Sequence, residues 1–460
     1  MPIVLAFGLI FASTNLFAQQ GAPARVPVSP PVPSWSQPFA VPNGPLPPVR
    51  PQVPNPRSPV VVGQSYDGID FLGSNCGCLP PDTNAAVGNN FVVETVNLQL
   101  RIFDKTTGAV LLDEPLSTLV GAAGAGSDPY VLYDDITNRW YVTVIDGNLV
   151  GLVLAVSADG NPLDGFPNVY DITAGLGGFV PDYPKPGFNK DAIFITYNNF
   201  GNGTAAATIV SINKAAALSG TLTYYVSTPK FQFRAMPPAQ MHGDTRGGTE
   251  YFVSTDGTDA GGNTIRLTQM KNYLSNTPTF IYKSLPVSQY QNAPRADQPG
   301  GSITTSPNTT TTQVHFRNGH LLTAMASATA ADGFVYPKVL VYKIFLPSTN
   351  VSQYLIDPGV GVAAQMPSVD EDKLGHIAVT WMESSNTEYL SMWVGNRPTN
   401  RVAVAPGGGF FTYNFRIGDY STMVIDPSDG MTFWAANEYI GSDGTTDIWR
   451  THIASFTTSN

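Results

Sequence analysis

Charge is scarce in this sequence. Asp, Glu, Lys and Arg make up 13% of its 460 residues, against about 25% in an ordinary globular chain. No Lys/Arg cluster occurs, and the net charge is −10 with a pI near 4.9. That composition leaves no electrostatic footprint for a nucleic-acid partner or an anionic membrane surface. Cysteine is nearly absent too: Cys76 and Cys78 are the only two. A zinc-type quartet and a multi-disulfide framework are therefore excluded, and stability must come from a buried core, which a chain this long can build. A Cys76–Cys78 bridge is tight and needs Gly77 to bend the chain between them. Long amphipathic helical patterns are missing. So are the G-x-S-x-G elbow and the H-E-x-x-H zinc motif. His242, His315, His320, His376 and His452 are scattered, and a lone His on a strand is usually structural.

Turn residues are abundant, with 44 Gly and 39 Pro. Short Val/Ile/Thr/Tyr/Phe runs lie between them, which is the pattern of an all-β chain. The stretch Arg416 to Tyr439 shows the grammar. A short strand through Met423, Val424 and Ile425 meets the turn Asp426 to Gly430, and a second strand, Met431 to Asn437, carries Phe433 and Trp434. Pro sets φ in such a turn and Gly accepts φ > 0.

The N-terminus reads differently. Ile3 to Phe17 is an apolar run shorter than the ~20 residues that span a bilayer, and residues 1–18 read as a signal peptide cleaved near Ala18. Residues 19–59 are dense in Pro, which favours an extended, unpacked tether. No later run is long enough to span a membrane. The folded body is residues 60–460, and the chain is expected to be secreted, periplasmic or extracellular, and monomeric.

Within the body the strand–turn–strand unit returns. Copies start near Asp82, Asp128, Asp182, Gly243-Asp244, Thr311, Met366 and Gly418. The period is near 50 residues, which signals one supersecondary unit per repeat. Each copy has room for two more strands, as in Gly151 to Val156 and Asn168 to Ile172. Four strands per copy is a propeller blade. The expectation is a single β-propeller of seven blades, with six or eight as alternatives and a pair of β-sandwiches as the other architecture. The final strand, Asp447 to Phe456, is placed to close the ring against Ser65 to Phe71.

Several copies open on an acid: Asp82, Asp128, Asp182, Asp244 and Asp419. The first strand of a blade lines the central channel, so these carboxylates would ring one mouth and hold a cation or a polar ligand. The plainer reading is that each Asp accepts backbone N–H bonds and fixes a turn. Two loops alternate oxygen side chains and end in Gly, as calcium loops do: Asp370 to Gly375, offering Asp370 and Asp372, and Ser157 to Gly165, offering Asp159 and Asp164. Neither has the closing Glu of the twelve-residue Ca²⁺ pattern. Ca²⁺ is the one cofactor these residues suggest.

Cys76-Gly77-Cys78-Leu79-Pro80-Pro81-Asp82-Thr83-Asn84, with Val87-Gly88 and Val96-Asn97, resembles the opening motif of a family of secreted bacterial β-propeller proteins of poorly defined function. Asp128-Pro129, Tyr133-Asp134 and Arg139-Trp140 resemble its second motif. Gly418-Asp419-Tyr420-Ser421, Asp426-Pro427, Thr432-Phe433-Trp434 and Asn437-Glu438-Tyr439 resemble its C-terminal one. The resemblance implies a secreted propeller over most of Val60 to Phe456. Sialidase-like and YVTN-type propellers are more distant in architecture, and Ser442-Asp443-Gly444 lacks the spacing of a sialidase Asp-box. The expected function is a binding or scaffold module for extracellular polysaccharide or a surface protein. A carbohydrate-active hydrolase or lyase, with acids at the channel mouth, and a purely structural surface protein are the alternatives.

Proline-rich sequence buries little, so removing residues 19–59 from the mature chain should shift stability by no more than an ordinary surface change, about 0.5 kcal/mol. Urea or thermal melts of the full and shortened chains check this. A large drop for the shortened chain would show that the segment packs on the body.

Overall fold

The structure, a computed structural model, describes residues 59–199, 206–229, 235–243, 246–255, 261–293, 295–306, 309–411, 416–442 and 447–459. The leader, the tether up to residue 58 and Asp244 lie outside these residues.

The described body is mostly strand. β1 (Val61–Asp70) enters first. A meander follows through β2 (Asn84–Val87), β3 (Phe91–Val96), β4 (Gln99–Asp104) and β5 (Val110–Pro115). The next runs through β6 (Ala125–Asp134), β7 (Arg139–Asp146), β8 (Leu152–Val156) and β9 (Asn168–Ile172). Another comprises β10 (Pro181–Phe188), β11 (Ala192–Asn199), β12 (Ala206–Asn213) and β13 (Tyr224–Ser227). Then come β14 (Ala239–Met241), β15 (Glu250–Ser254), β16 (Gly262–Lys271) and β17 (Thr279–Gln291), with β14 joined to β15 through a Pro238–Phe252 bridge. β18 (Ala296–Gln298) and β19 (Gly301–Ser306) interrupt the pattern. It resumes in β20 (Val314–Arg317), β21 (His320–Thr329), β22 (Pro337–Phe345) and β23 (Val351–Ile356), and again in β24 (Val362–Glu371), β25 (Ile377–Ser385), β26 (Glu388–Arg397) and β27 (Asn400–Ala405). β28 (Arg416–Gly418), β29 (Thr422–Ile425), β30 (Phe433–Ser442) and β31 (Asp447–Thr457) end the chain.

The first strand of each meander lies innermost. β10 pairs parallel with β14, Phe188 opposite Gln240, and β14 pairs parallel with β20, Ala239 opposite Val314. β2 packs beside β6, β6 beside β10, β20 beside β24, β24 beside β29, and β29 beside β2. The series returns to its start, which is the arrangement of a β-propeller. The last sheet is closed by the first strand: β1 lies outside β31, with Val61 opposite Thr457, Tyr66 opposite Ile453 and Asp70 opposite Arg450. That closure removes the free edges that an open sheet of this size would leave.

Apolar layers fill the spaces between neighbouring meanders, because alternate side chains of each strand face opposite sides. Trp140 packs with Val93 and Ile102 of the preceding meander. Trp381 packs with Leu322 and Val339, and Trp434 with Val92 and Phe103.

Two local expectations are corrected. The sequence of Asp370 to Gly375 suggests a turn, but β24 continues through Asp370 and Glu371, which face Ala378 and Ile377 on β25. Asp370 is buried against Arg317, so the strand continues where its charge suggested a loop. The strands β18, β19 and β28, which the repeat pattern did not provide for, form a small sheet of their own, with β19 and β28 parallel.

Trp449 on β31 is fully buried. Its ring meets Phe71 edge-on at 5.9 Å, and its Nε1 donates to the Cys78 carbonyl at 2.9 Å. It fastens the entry segment to the closing sheet. Trp449→Ala should cost about 3–5 kcal/mol, the usual loss for a buried Trp. An unchanged melting curve would mean that the β1–β31 closure does not limit stability.

Candidate functional site

The channel-lining strands begin on strained backbone. Asp82, Asp128, Tyr183, Ala235, Thr309, Met366 and Asp419 all have φ between 42° and 108°, and each lies at or just before an innermost strand. Positive φ is uncommon for residues other than Gly, and Asp tolerates it better than most. Bulges accompany the kinks, between Ser127 and Tyr130, Asp182 and Lys185, and Gln365 and Ser368. A bulge re-aims the side chains next to it. In the fourth meander the kink falls at Ala235; Asp244 lies outside the described residues.

Asp82, Asp128, Asp182 and Asp419 are brought together at this end, with Glu438, Arg416 and Lys185. Asp128 accepts from Tyr420 Oη at 2.7 Å and from Ser127 Oγ at 2.7 Å. Arg416 is ion-paired with Asp419, and Tyr183 Oη donates to the Asp419 carbonyl at 2.9 Å. Gly418 N donates to Glu438 Oε2 at 3.0 Å. The Lys185 ammonium is 4.0 Å from the Tyr183 ring centroid and 3.9 Å from that of Tyr420, a doubled cation–π contact. Asp82 is 5% exposed, and its Oδ1 has no hydrogen-bond partner among the described residues.

Burial dominates the titration of this group, and the crowding of acids adds to it. Burial, then the charges of Asp128 and Asp419, holds the Asp82 carboxyl well above its ordinary range. The same causes push Asp182 up to about 7. Burial raises Glu438 to about 8, and it raises Asp128 as well. Burial also lowers Lys185 to about 7, against the pull of Asp419, Asp128 and Asp82.

The other suggested ligands lie elsewhere. Asp370 accepts from Arg317 Nε at 2.8 Å and Nη2 at 3.0 Å, and from the Glu371 and Ile425 amides. Asp372 accepts from the Leu374 and His376 amides, and His376 Nδ1 lies 2.8 Å from it. Asp159 accepts from Asn161 N at 2.7 Å, and Asp164 ends a short 3₁₀ turn capped by the Asn161 side chain. The bonds of Asp372 and Asp159 are the turn-fixing kind, whereas those of Asp370 tie β24 to other strands. Cys76 and Cys78 are joined as a disulfide around Gly77, whose φ is 58°.

All innermost strands run the same way, from the acidic end to a second cluster. Midway, Gln313 donates from Nε2 to Tyr130 Oη and accepts from Ser368 Oγ. Beyond it lies a cavity of about 170 Å³ whose walls include Gln240, His242, Gln313 and Arg317. There Asp135 Oδ1 is 3.1 Å from His242 Nδ1, and His242 Nε2 is 3.4 Å from His315 Nδ1. The two imidazoles are stacked, 5.5 Å between centroids. His315 Nδ1 is 3.7 Å from Asp370 Oδ2. Burial lowers His315 to about 3. The sequence showed these histidines only as isolated residues 73 positions apart. Lys185 and Arg416 were also missed, although both sit beside expected acids.

The class that this ring of meanders defines is the β-propeller. No family model matches the chain, and no curated protein matches it. Among solved structures it is similar to Hsv2 of Kluyveromyces lactis, at 7% identity over 80% of this chain and 95% of that one, with a TM-score of 0.37. It is also similar to a triple-substituted AofleA of Arthrobotrys oligospora, at 9% identity over 75% and 90% with a TM-score of 0.39. A third similarity is to the GH43 endo-arabinanase of Bacillus licheniformis, at 17% identity over 57% and 90% with a TM-score of 0.27. No residue role is carried over from them.

The buried acids predict a pH dependence. Asp182 and Glu438 hold protons up to about 7 and 8 when folded, but release them near their ordinary values of 3.8 and 4.5 when unfolded. Between those limits the folded state binds more protons, so stability falls as pH rises from about 5 to 8. Lys185 acts oppositely above about 7, and His315, lowered to about 3 by burial, acts oppositely up to its ordinary value of 6.5, but the two acids together outweigh that one histidine between pH 5 and 7. Melting temperature should therefore decline from pH 5 to 7, and Asp182→Asn should flatten the decline. A rise across that interval would contradict the assignment.

Proposed function

We propose that this chain is a secreted or cell-surface binding module, a seven-bladed propeller that engages a cation-bridged extracellular glycan at the acidic mouth of its channel. The cycle β2, β6, β10, β14, β20, β24, β29 and back to β2 supports the blade count. One observation carries the binding reading: Asp82 Oδ1 is buried without a donor, beside Asp128 and Asp419. A buried acceptor left unpaired costs free energy, and a cation or a ligand hydroxyl removes that cost. Oxygen ligands of this kind suit Ca²⁺. The Pro-rich tether would hold the propeller away from its point of attachment.

A glycan-cleaving enzyme is the second reading. Its support is Asp182, held protonated near neutrality next to ionisable partners, as a general acid must be. The two readings separate on turnover: incubation with labelled polysaccharides releases products only under the second.

Ca²⁺ should raise the melting temperature of the parent, by on the order of 2.7 kcal/mol of stabilisation at a hundredfold excess over the dissociation constant. Asp82→Asn and Asp128→Asn should lose that response while remaining folded. A glycan array, run with Ca²⁺ and with EDTA, should show binding that depends on the ion. Identical melting curves with Ca²⁺ and EDTA, together with a blank array, would remove the binding reading and leave a structural surface protein.

A further inference from the structure

We propose that His242, His315 and Asp370, at the opposite end of the channel from the acidic mouth, form a binding site for a divalent transition metal ion of the zinc class. Nothing in this proposal depends on calcium or glycan binding at the other end. The ligand atoms are His242 Nε2, His315 Nδ1 and an Asp370 carboxylate oxygen, all within 4.8 Å of one another. His315 and Asp370 are fully buried, and the His242 side chain is 8% exposed.

The hydrogen bonds around the imidazoles fix their tautomers. A carboxylate only accepts, so Asp135, 3.1 Å away, places the proton of neutral His242 on Nδ1. Nε2 then carries a lone pair. Gln313 donates its amide nitrogen to Tyr130, so its Oε1, 3.5 Å from His315 Nε2, is an acceptor for a proton on that nitrogen. His315 Nδ1 is then also a lone pair. Two imidazole lone pairs thus face each other at 3.4 Å. They repel unless a cation lies between them.

The spacing matches a metal. Two nitrogens, each about 2.0–2.1 Å from a tetrahedral ion, are about 3.3–3.4 Å apart. Asp370 supplies the third ligand, 3.7 Å from His315 Nδ1. Arg317 holds Asp370 by both carboxylate oxygens, which fixes its position and keeps it anionic. That positive charge also weakens the site relative to an all-anion cage. Asp135 behind His242 is the carboxylate–histidine pair that metal sites use to orient a ligand. Two nitrogens with one carboxylate favour Zn²⁺, Co²⁺ or Fe²⁺ over Ca²⁺. The adjoining cavity leaves room for water or a small ligand in the remaining position.

The test uses the untagged mature protein, stripped with EDTA and titrated with Co²⁺. Nitrogen-ligated, four-coordinate Co²⁺ gives intense visible d–d bands that an all-oxygen site at the acidic mouth does not give. We expect these bands to saturate at one equivalent and to be displaced by Zn²⁺. His315→Gln should abolish them, Asp135→Asn should weaken binding about 10–100-fold, and Asp82→Asn should leave them unchanged. A parent that shows only the spectrum of hydrated Co²⁺ overturns the proposal; the histidines then share a proton and no more. Bands that persist in folded His315→Gln and His242→Gln also overturn it, because the ion then sits elsewhere. Should either variant fail to fold, the parent spectrum and the Asp135→Asn shift still decide.

Discussion

The innermost strands of a propeller splay apart around the axis, so most of their inward edges cannot pair with a neighbouring strand. Each buried N–H on those edges still needs an acceptor. This chain meets the constraint with short polar side chains. Ala85 N donates to Thr422 Oγ1 at 3.0 Å, and Val131 N to Asn84 Oδ1 at 2.7 Å. Met423 N donates to Ser368 Oγ at 2.9 Å, and Ile425 N to Asp370 Oδ2 at 3.1 Å. Thr312 Oγ1 donates to the Pro367 carbonyl at 2.6 Å. Among the described innermost strands, β10, β14 and β20 come close enough for direct parallel pairing between backbones. The inner ring is therefore built from Asn, Ser, Thr and Asp where other sheet interiors would carry Val and Ile.

The outer ends of the ring are tied by charge. Lys105, after β4, pairs with Asp426 at the end of β29, 2.9 Å apart. Lys214, after β12, pairs with Asp134 at the end of β6, 2.6 Å apart, and both side chains are essentially buried. In each case a lysine from one meander caps the acid that ends its neighbour's innermost strand. Removing one partner of such a pair leaves a buried charge unmatched, which is far costlier than losing an exposed bridge. These pairs fix the angle between meanders, while the Trp-rich layers fill the space.

Much of the fold was legible because alternation and turn chemistry are local. Asn168 to Ile172 is a strand at the bounds read from sequence, and β11 starts at Ala192 as expected. The acidic mouth was legible for the same reason: Asp82, Asp128, Asp182 and Asp419 stand at corresponding places in their copies. What failed was register without a local mark. The kink before β14 is at Ala235, whose side chain advertises nothing. Asp370 looked like the start of a turn, yet it lies on β24, because its partner, Arg317, is 53 residues away. The His242–His315 contact is non-local in the same way: only the parallel β14–β20 pairing, with Gln240 opposite His315, sets the two rings side by side.

The common direction of the innermost strands gives the channel its polarity. A residue before an innermost strand reaches the entry end in every meander, and a residue after it reaches the other end. The kinks select Asp at several entry positions, because a short acceptor side chain relieves positive φ locally. The exit positions face the turns, where Asp134, Asp370 and Asp426 each need a cation: Lys214, Arg317 and Lys105 supply it. At the exit of β6, Asp135 receives His242 instead. An entry end with excess acid and an exit end of matched charges thus follow from one repeated unit placed around the axis in the same sense, without any separate device to make the two mouths differ.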